Sequence, residues 1–219
     1  EWKRKENYSM NDGVNGEVVI VHSPNHRGVK GTEFIIKSIE DLKSQGIKIK
    51  LILLEKKQNN EVKRVLYEEA DILVEQLIFT AYALSGIEGM ATGLPVLANL
   101  ESEVYTRVFR RYSYLNESPV LSTTPESIKE NLKFLIQNPI LRKELGIAGR
   151  KYVEKYHSYE SGAYMFEKIY DKIWYGKDVD LLNLYHPLNP NSYNNLTDKI
   201  KHPLFENKLP SDLTEKTLL

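Results

Sequence analysis

Two segments of the chain place chemically useful side chains beside glycines. The first is Glu88-Gly89-Met90-Ala91-Thr92-Gly93-Leu94-Pro95-Val96, which sets one carboxylate near the start of a short helix, ends that helix at Gly93 and launches a buried strand. A carboxylate so placed can accept two charge-assisted hydrogen bonds from the adjacent hydroxyls of a ribose. Its plainer role is a first-turn carboxylate that favours a helix terminus. The second segment runs from Val21 through His22, Pro24, His26, Arg27, Gly28, Lys30 and Gly31 to Thr32. It joins a strand to a helix, so free amides at the helix start can meet a phosphate while Arg27 and Lys30 neutralise it. Gly28 and Gly31 remove side chains where an anion needs close approach, and the geometry suits a diphosphate. Basic residues in a polar loop are as often simply solvated. Neither the glycine-rich dinucleotide fingerprint nor a Walker loop is present.

Other candidates are weaker. His22 and His26 lie four apart, but Pro24 forbids the continuous helix that would put them on one face, so no metal site is expected. His22 closes a strand and can either touch a phosphate or sugar or have a structural or surface role. Tyr82 lies in the loop before Glu88, where it borders a ligand or packs. Arg110 and Arg111 form a basic pair too short for nucleic-acid binding. There is no cysteine, which excludes disulfides and thiol chemistry.

The elements that position these residues follow from hydrophobic periodicity. Apolar runs at Val18–Val21, Ile49–Leu54, Ile72–Val74 and 95–98 read as strands buried on both faces, with a last short strand at Pro119–Leu121. Between them lie helical patterns on Phe34, Ile35, Ile39 and Leu42, ending at Gly46, near 62–69, over 85–92 and over 102–111. Thr124 with Pro125 and Asn138 with Pro139 read as helix starts. The helix after Asn138 is expected to be interrupted near Gly146 and Gly149. Ser158 caps a final helix carrying Phe166, Ile169, Tyr170 and Ile173, expected to pack back on the domain. The alternation predicts a three-layer α/β domain, Rossmann-like, with a parallel sheet of about six strands and the first strand central. Residues 1–16 form a polar lead-in or interdomain segment, 17–174 the domain, and 175–219 an irregular extension rich in Asn and Pro that could wrap a neighbour.

The chain has 219 residues, with 30 Lys and Arg against 30 Asp and Glu, so any attraction for a polyanion must be local. No apolar run approaches the roughly 18 residues of a membrane span. A cytoplasmic protein is expected, and a peripheral contact with the inner face of a membrane is compatible with it.

With these segments in order, the chain resembles the C-terminal, nucleotide-sugar-binding half of retaining GT-B glycosyltransferases of the group 1 (GT4-like) type. The resemblance spans roughly residues 17–174. It rests on the Arg27/Lys30/Gly31 loop, on Ala70-Asp71-Ile72-Leu73 at a strand start, on the Glu88 to Val96 run, and on the region from Asn138 to Trp174. It implies sugar transfer from a nucleotide diphosphate sugar with retention at the anomeric carbon, without a metal or other cofactor. Lys30 matches the donor-phosphate lysine, with Arg27 as its partner at compressed spacing. Glu88 matches the later Glu of the family's two-glutamate motif, the ribose ligand. The earlier Glu falls eight positions before it, where this chain has Thr80. Thr80 forms neutral hydrogen bonds but cannot supply the field of a carboxylate. That departure leaves open an altered sugar preference, a shifted substitute such as Glu75, or weakened catalysis. The catalytic group itself is unassigned, with Arg27 and Lys30 as phosphate-stabilising candidates and Arg27, Lys30, Gly31, Thr80, Tyr82 and Glu88 as donor-binding ones. The family's acceptor-binding N-terminal domain is expected outside this chain, so the isolated chain should bind donor without efficient transfer. A polysaccharide, lipid-linked sugar or small-molecule acceptor fits equally. A noncatalytic nucleotide-binding or regulatory domain, and a nucleotide-sugar epimerase of the same architecture, are the alternatives.

Overall fold

The computed structural model describes residues 2–102, 104–106, 115–179 and 181. Alternation along β1 (Val18–His22) sets the layers, with Val18 and Ile20 turned into one apolar cluster and Val21 into another on the opposite face. After β1 come a single turn, α1 (Arg27–Lys30), and the longer α2 (Thr32–Ser44), then β2 (Ile49–Leu53) and α3 (Asn59–Glu68). Next are β3 (Ile72–Val74), α4 (Leu84–Thr92), β4 (Val96–Ala98) and β5 (Leu121–Ser122). Three helices close the described chain: α5 (Ile128–Gln137), α6 (Pro139–Tyr156) and α7 (Tyr159–Tyr175).

All strand pairs are parallel, in the order β2-β1-β3-β4-β5. The expected Rossmann-like three-layer sheet is therefore present, with five strands among the described residues rather than about six. The first strand is not central: β2 lies on one side of β1 and three strands on the other, which puts β3 in the middle. The sheet thus reverses direction of growth between β1 and β3. In such sheets the helices that follow the two strands pack on opposite faces, and ligands bind at the carboxyl ends of the strands near this point.

Helices α2 and α5 cover one face through Ile35, Ile39, Leu42, Leu132 and Leu135. On the other face α3, α4 and α6 contribute Val65, Leu66, Met90 and Tyr152. The interruption expected near Gly146 and Gly149 is absent, because α6 runs unbroken from Pro139 to Tyr156. The glycines serve contact instead: a Cβ at Gly146 would lie 1.9 Å from the Gly93 carbonyl oxygen, and one at Gly149 would lie 3.1 Å from Met90. Small residues let α4 and α6 approach backbone to backbone, which outweighs a loss of helix propensity of about 1 kcal/mol per glycine.

Thr124 opens a turn in which the Ile128 amide donates back to the Thr124 carbonyl, and regular helix begins only at Ile128. Asn138 and Ser158 stand at the helix starts read from sequence, and the Ser158 hydroxyl accepts from the Ser161 amide. The last strand lies at Leu121–Ser122, slightly later than Pro119–Leu121. Most of the helix expected over 102–111, with Arg110 and Arg111, and nearly all of 175–219 beyond Val179 lie outside the described residues.

Residues 2–16 run beneath the domain and are tied to it. The Lys5 amide donates to the Thr92 carbonyl at 2.8 Å, and the buried Arg142 guanidinium donates to the carbonyls of Leu135, Ile136, Ser9 and Asn11. Helix α7 packs back on the domain as expected, through a flanking helix. It packs on α6, yet of its residues only Ser161 and Asp171 are buried, while Phe166, Tyr170, Ile173 and Trp174 are exposed. Its aromatic stripe stacks on itself, Tyr170 on Trp174 at 4.2 Å. Among the described residues no helix is long and apolar enough to cross a membrane.

Candidate functional site

The loops leaving β1 and β3 are stitched together at the carboxyl edge of the sheet. The Leu77 amide donates to the Lys30 carbonyl at 3.1 Å, and the Phe79 amide to the Val29 carbonyl at 3.4 Å. Gly31 links α1 to α2 at φ 72°, and a Cβ there would sit 3.0 Å from that of Leu77, so both backbone conformation and close loop approach favour glycine.

Lys30 does not point to solvent. Its Nζ lies 3.0 Å from Glu75 Oε1 and 2.9 Å from Gln76 Oε1, with both charged side chains almost wholly excluded from water. Glu75 follows β3 directly and is a hub. It accepts from the Ala83 amide at 2.9 and 3.0 Å through its two oxygens and from Ser85 Oγ at 3.0 Å. Ala83 is the N-cap of α4 and Ser85 lies in its first turn, so one carboxylate satisfies an orphan helix-start donor, a hydroxyl and an ammonium together. Gly86 completes the fit, since a Cβ there would lie 2.8 Å from Glu75 Oε2.

Arg27 sits on the surface, donating to Glu33 at 2.8 Å and to Glu55 at 2.8 Å. Hydrogen bonds to Glu55 and Glu33 raise its pKa further above its ordinary value. Gly28 faces open space. Thr80 is buried at the tip of the β3 loop beside Ala81, whose φ of 95° is unusual for a residue with a side chain. Asn99 holds that strained turn by accepting the Ala81 amide on its carbonyl at 2.8 Å, while the Gln76 side-chain amide donates to the Ala81 carbonyl. Tyr82 turns toward α6: its hydroxyl lies 2.5 Å from that of Tyr152 and 3.0 Å from His157 Nε2. Glu88 is half-buried one turn along α4 from Ser85. Burial raises its pKa, and the charge of Lys63 opposes the rise.

His22 is fully buried and ties β1 to β3 and α2. Its Nδ1 lies 2.8 Å from the Val74 carbonyl and its Nε2 2.9 Å from Thr32 Oγ1. A carbonyl only accepts, so Nδ1 carries the proton and Thr32 donates to Nε2. Burial lowers the pKa of His22 to about 4, which keeps the ring neutral at pH 7.

The structure therefore brings Lys30, Gly31 and Glu75 together, with Glu88 on the helix that Glu75 caps, while Arg27 is engaged with surface carboxylates and Tyr82 with α6. Gln76 and Ser85 were missed. The available signal was Glu75-Gln76 itself, two polar residues directly after a buried three-residue strand at the carboxyl edge of the sheet. A separate cavity of about 450 Å³ opens at the opposite, amino edge, lined in part by Lys5, Glu17, Tyr67, Glu69 and Asp71. It lies away from Lys30 and Glu75, and five of its eleven lining residues are acidic. Among the described residues no group of three or more His, Asp or Glu side chains could hold a metal ion.

The fold defines the class: a Rossmann-like α/β domain whose parallel sheet reverses direction of growth between β1 and β3. Sucrose-phosphate synthase from Thermosynechococcus elongatus shares this fold, with a TM-score of 0.54 and 17% sequence identity over 74% of this chain. The match spans 46% of that protein, so this chain corresponds to about half of it. No protein-family model matches the chain, and no curated protein matches it by sequence.

Proposed function

We propose that the chain is the donor-binding half of a retaining glycosyltransferase of the GT-B type, holding a nucleotide diphosphate sugar at the carboxyl ends of β1 and β3. The observation that carries this reading is the convergence of Lys30 Nζ, the Ala83 amide and Ser85 Oγ on one anionic group, today the Glu75 carboxylate. Those donors suit a phosphate. The likeness to a sucrose-phosphate synthase fold supports the architecture.

In this reading the diphosphate lies across the start of α4, and Glu88, one turn further on, accepts the donor ribose hydroxyls. As the glycosidic bond loosens, negative charge builds on the leaving diphosphate, and Lys30 with the α4 amide stabilises it in a site of low polarity. Lys30 offsets the phosphate charge in place of a metal. Acceptor binding falls to a second domain. The exposed Phe166, Tyr170, Ile173 and Trp174 of α7 support a further structural unit against that helix.

A noncatalytic nucleotide-binding domain is the second reading, favoured by Thr80 at the position of the family's first Glu. Calorimetric titration with uridine, guanosine and adenosine diphosphates tests the first requirement of both, and sugar transfer by the chain joined to an acceptor domain separates them. Saturable binding of at least one diphosphate is expected. Glu88→Gln should weaken nucleoside and nucleoside diphosphate alike, and equal binding by wild type and variant would remove Glu88 from the site.

A further inference from the structure

The donors just assigned to a diphosphate are already occupied. Glu75 Oε1 takes Lys30 Nζ at 3.0 Å, the Ala83 amide at 2.9 Å and Ser85 Oγ at 3.0 Å, and Oε2 takes the same amide at 3.0 Å. The side chain is fully buried, so its charge is answered by these groups and not by water. We infer that Glu75 is an internal anion that occupies the phosphate position, and that a diphosphate binds by displacing it.

The inference rests on the reading of this position as a diphosphate site. Its physical basis is a conflict of like charges. A diphosphate seated on Lys30 and the start of α4 would meet the Glu75 carboxylate within a few ångströms in a poorly screened environment, and the two cannot share the same donors. Glu75 follows the short β3 on a loop, and its Oε2 rests against the first turn of α4 where Gly86 leaves room. Rotation of its side chain away from α4 frees one amide, one hydroxyl and one ammonium at once. The carboxylate therefore holds the ligand's donors aligned and partly dry in its absence, at the expense of affinity. Binding selects ligands with enough phosphate charge to outcompete a single carboxylate, so inorganic monophosphate and uncharged sugars are disfavoured.

Two variants separate this role from a merely structural one. Glu75→Gln keeps size and acceptor capacity toward Lys30 but removes the competing charge. Gly86→Ala keeps the charge and places a Cβ 2.8 Å from Oε2, which pushes the flexible carboxylate off the helix start. Inorganic pyrophosphate, the three nucleoside diphosphates and the parent nucleosides are titrated into wild type and both variants, with circular dichroism and urea unfolding confirming the fold. Glu75→Gln should bind pyrophosphate and the preferred nucleoside diphosphate about tenfold more tightly, the scale of removing one nearby like charge. Gly86→Ala should shift the same ligands in the same direction, and nucleoside binding should not change. If wild type binds diphosphate and each variant that folds binds it no better, Glu75 is a structural cap and the inference is overturned. Equal tightening of nucleoside and diphosphate also overturns it. Binding of no diphosphate by wild type or either variant instead overturns the assignment of the site, and the inference falls with it.

Discussion

Lys30 and Glu75 meet 3.0 Å apart with side chains 7% and 0% exposed, an ion pair formed across the loops of two neighbouring strands. Removing one member leaves the other charged in the interior. Lys30→Ala is expected to lower stability by about 3 kcal/mol, while Lys30→Met combined with Glu75→Gln should recover most of that loss. Urea unfolding of the single and double variants measures both. A double variant as unstable as Lys30→Ala would show that the pair contributes through something other than mutual neutralisation.

Gly146 faces the backbone of Gly93 with no room for a methyl group, since the clash at 1.9 Å involves a carbonyl that cannot swing aside. Gly146→Ala should cost upwards of about 2 kcal/mol by forcing α4 and α6 apart. Gly28→Ala, in open space, should change stability by less than about 0.5 kcal/mol. Thermal melts of the two variants make the comparison, and similar melting temperatures would contradict the helix contact.

The sheet and its order of elements were legible because strands buried on both faces leave continuous apolar runs such as Val18–Val21 and Ile72–Val74. The interior glycines of α6 were misleading for a physical reason: propensity marks Gly as a breaker, and only the neighbouring helix reveals why it is tolerated. Helix α7 packs on α6, but its periodic apolar positions identify a face without saying what covers it. In the site, Lys30 and Glu88 were visible as charged residues next to glycines. The pairing of Lys30 with Glu75 was not, since their distance in sequence is bridged only by the parallel pairing of β1 with β3. Periodicity alone also could not place the His22 ring, whose two nitrogens bond the Val74 carbonyl and Thr32.

His22 makes the fold sensitive to mild acid. The folded chain keeps the ring neutral down to about pH 4, whereas an unfolded histidine protonates near 6.5. Between those values the unfolded state binds more protons, so stability falls as pH drops from about 6.5 to about 4, by roughly 3 kcal/mol at most for this residue. His157, whose pKa burial also lowers to about 4, acts with the same sign. Unfolding free energies measured across this range should slope less steeply in His22→Asn than in wild type. An unchanged slope would mean that His22 is protonated in the fold.

Glu88 carries the opposite sign. Burial raises its pKa in the fold, so the folded state favours the protonated form and the carboxylate costs stability as pH rises above the unfolded value. Glu88→Gln should therefore be slightly more stable than wild type at pH 7, with the difference vanishing in acid. Ribose hydroxyls donating to the carboxylate would favour its charged form, so nucleoside affinity should fall as pH drops through the raised pKa. Melting curves and titrations at several pH values test both halves, and a destabilised Glu88→Gln at pH 7 would show that the carboxylate is held by the fold itself.

The most direct test of the central claim is amide chemical-shift mapping of the isotopically labelled chain during titration with the tightest-binding nucleoside diphosphate. The account predicts that the largest shifts fall on Val29–Gly31, Glu75 and Ala83–Glu88, where the β1 and β3 loops meet the start of α4. Shifts centred instead on Lys5, Glu17 and Asp71 at the amino edge of the sheet, or none at saturating ligand, would contradict it.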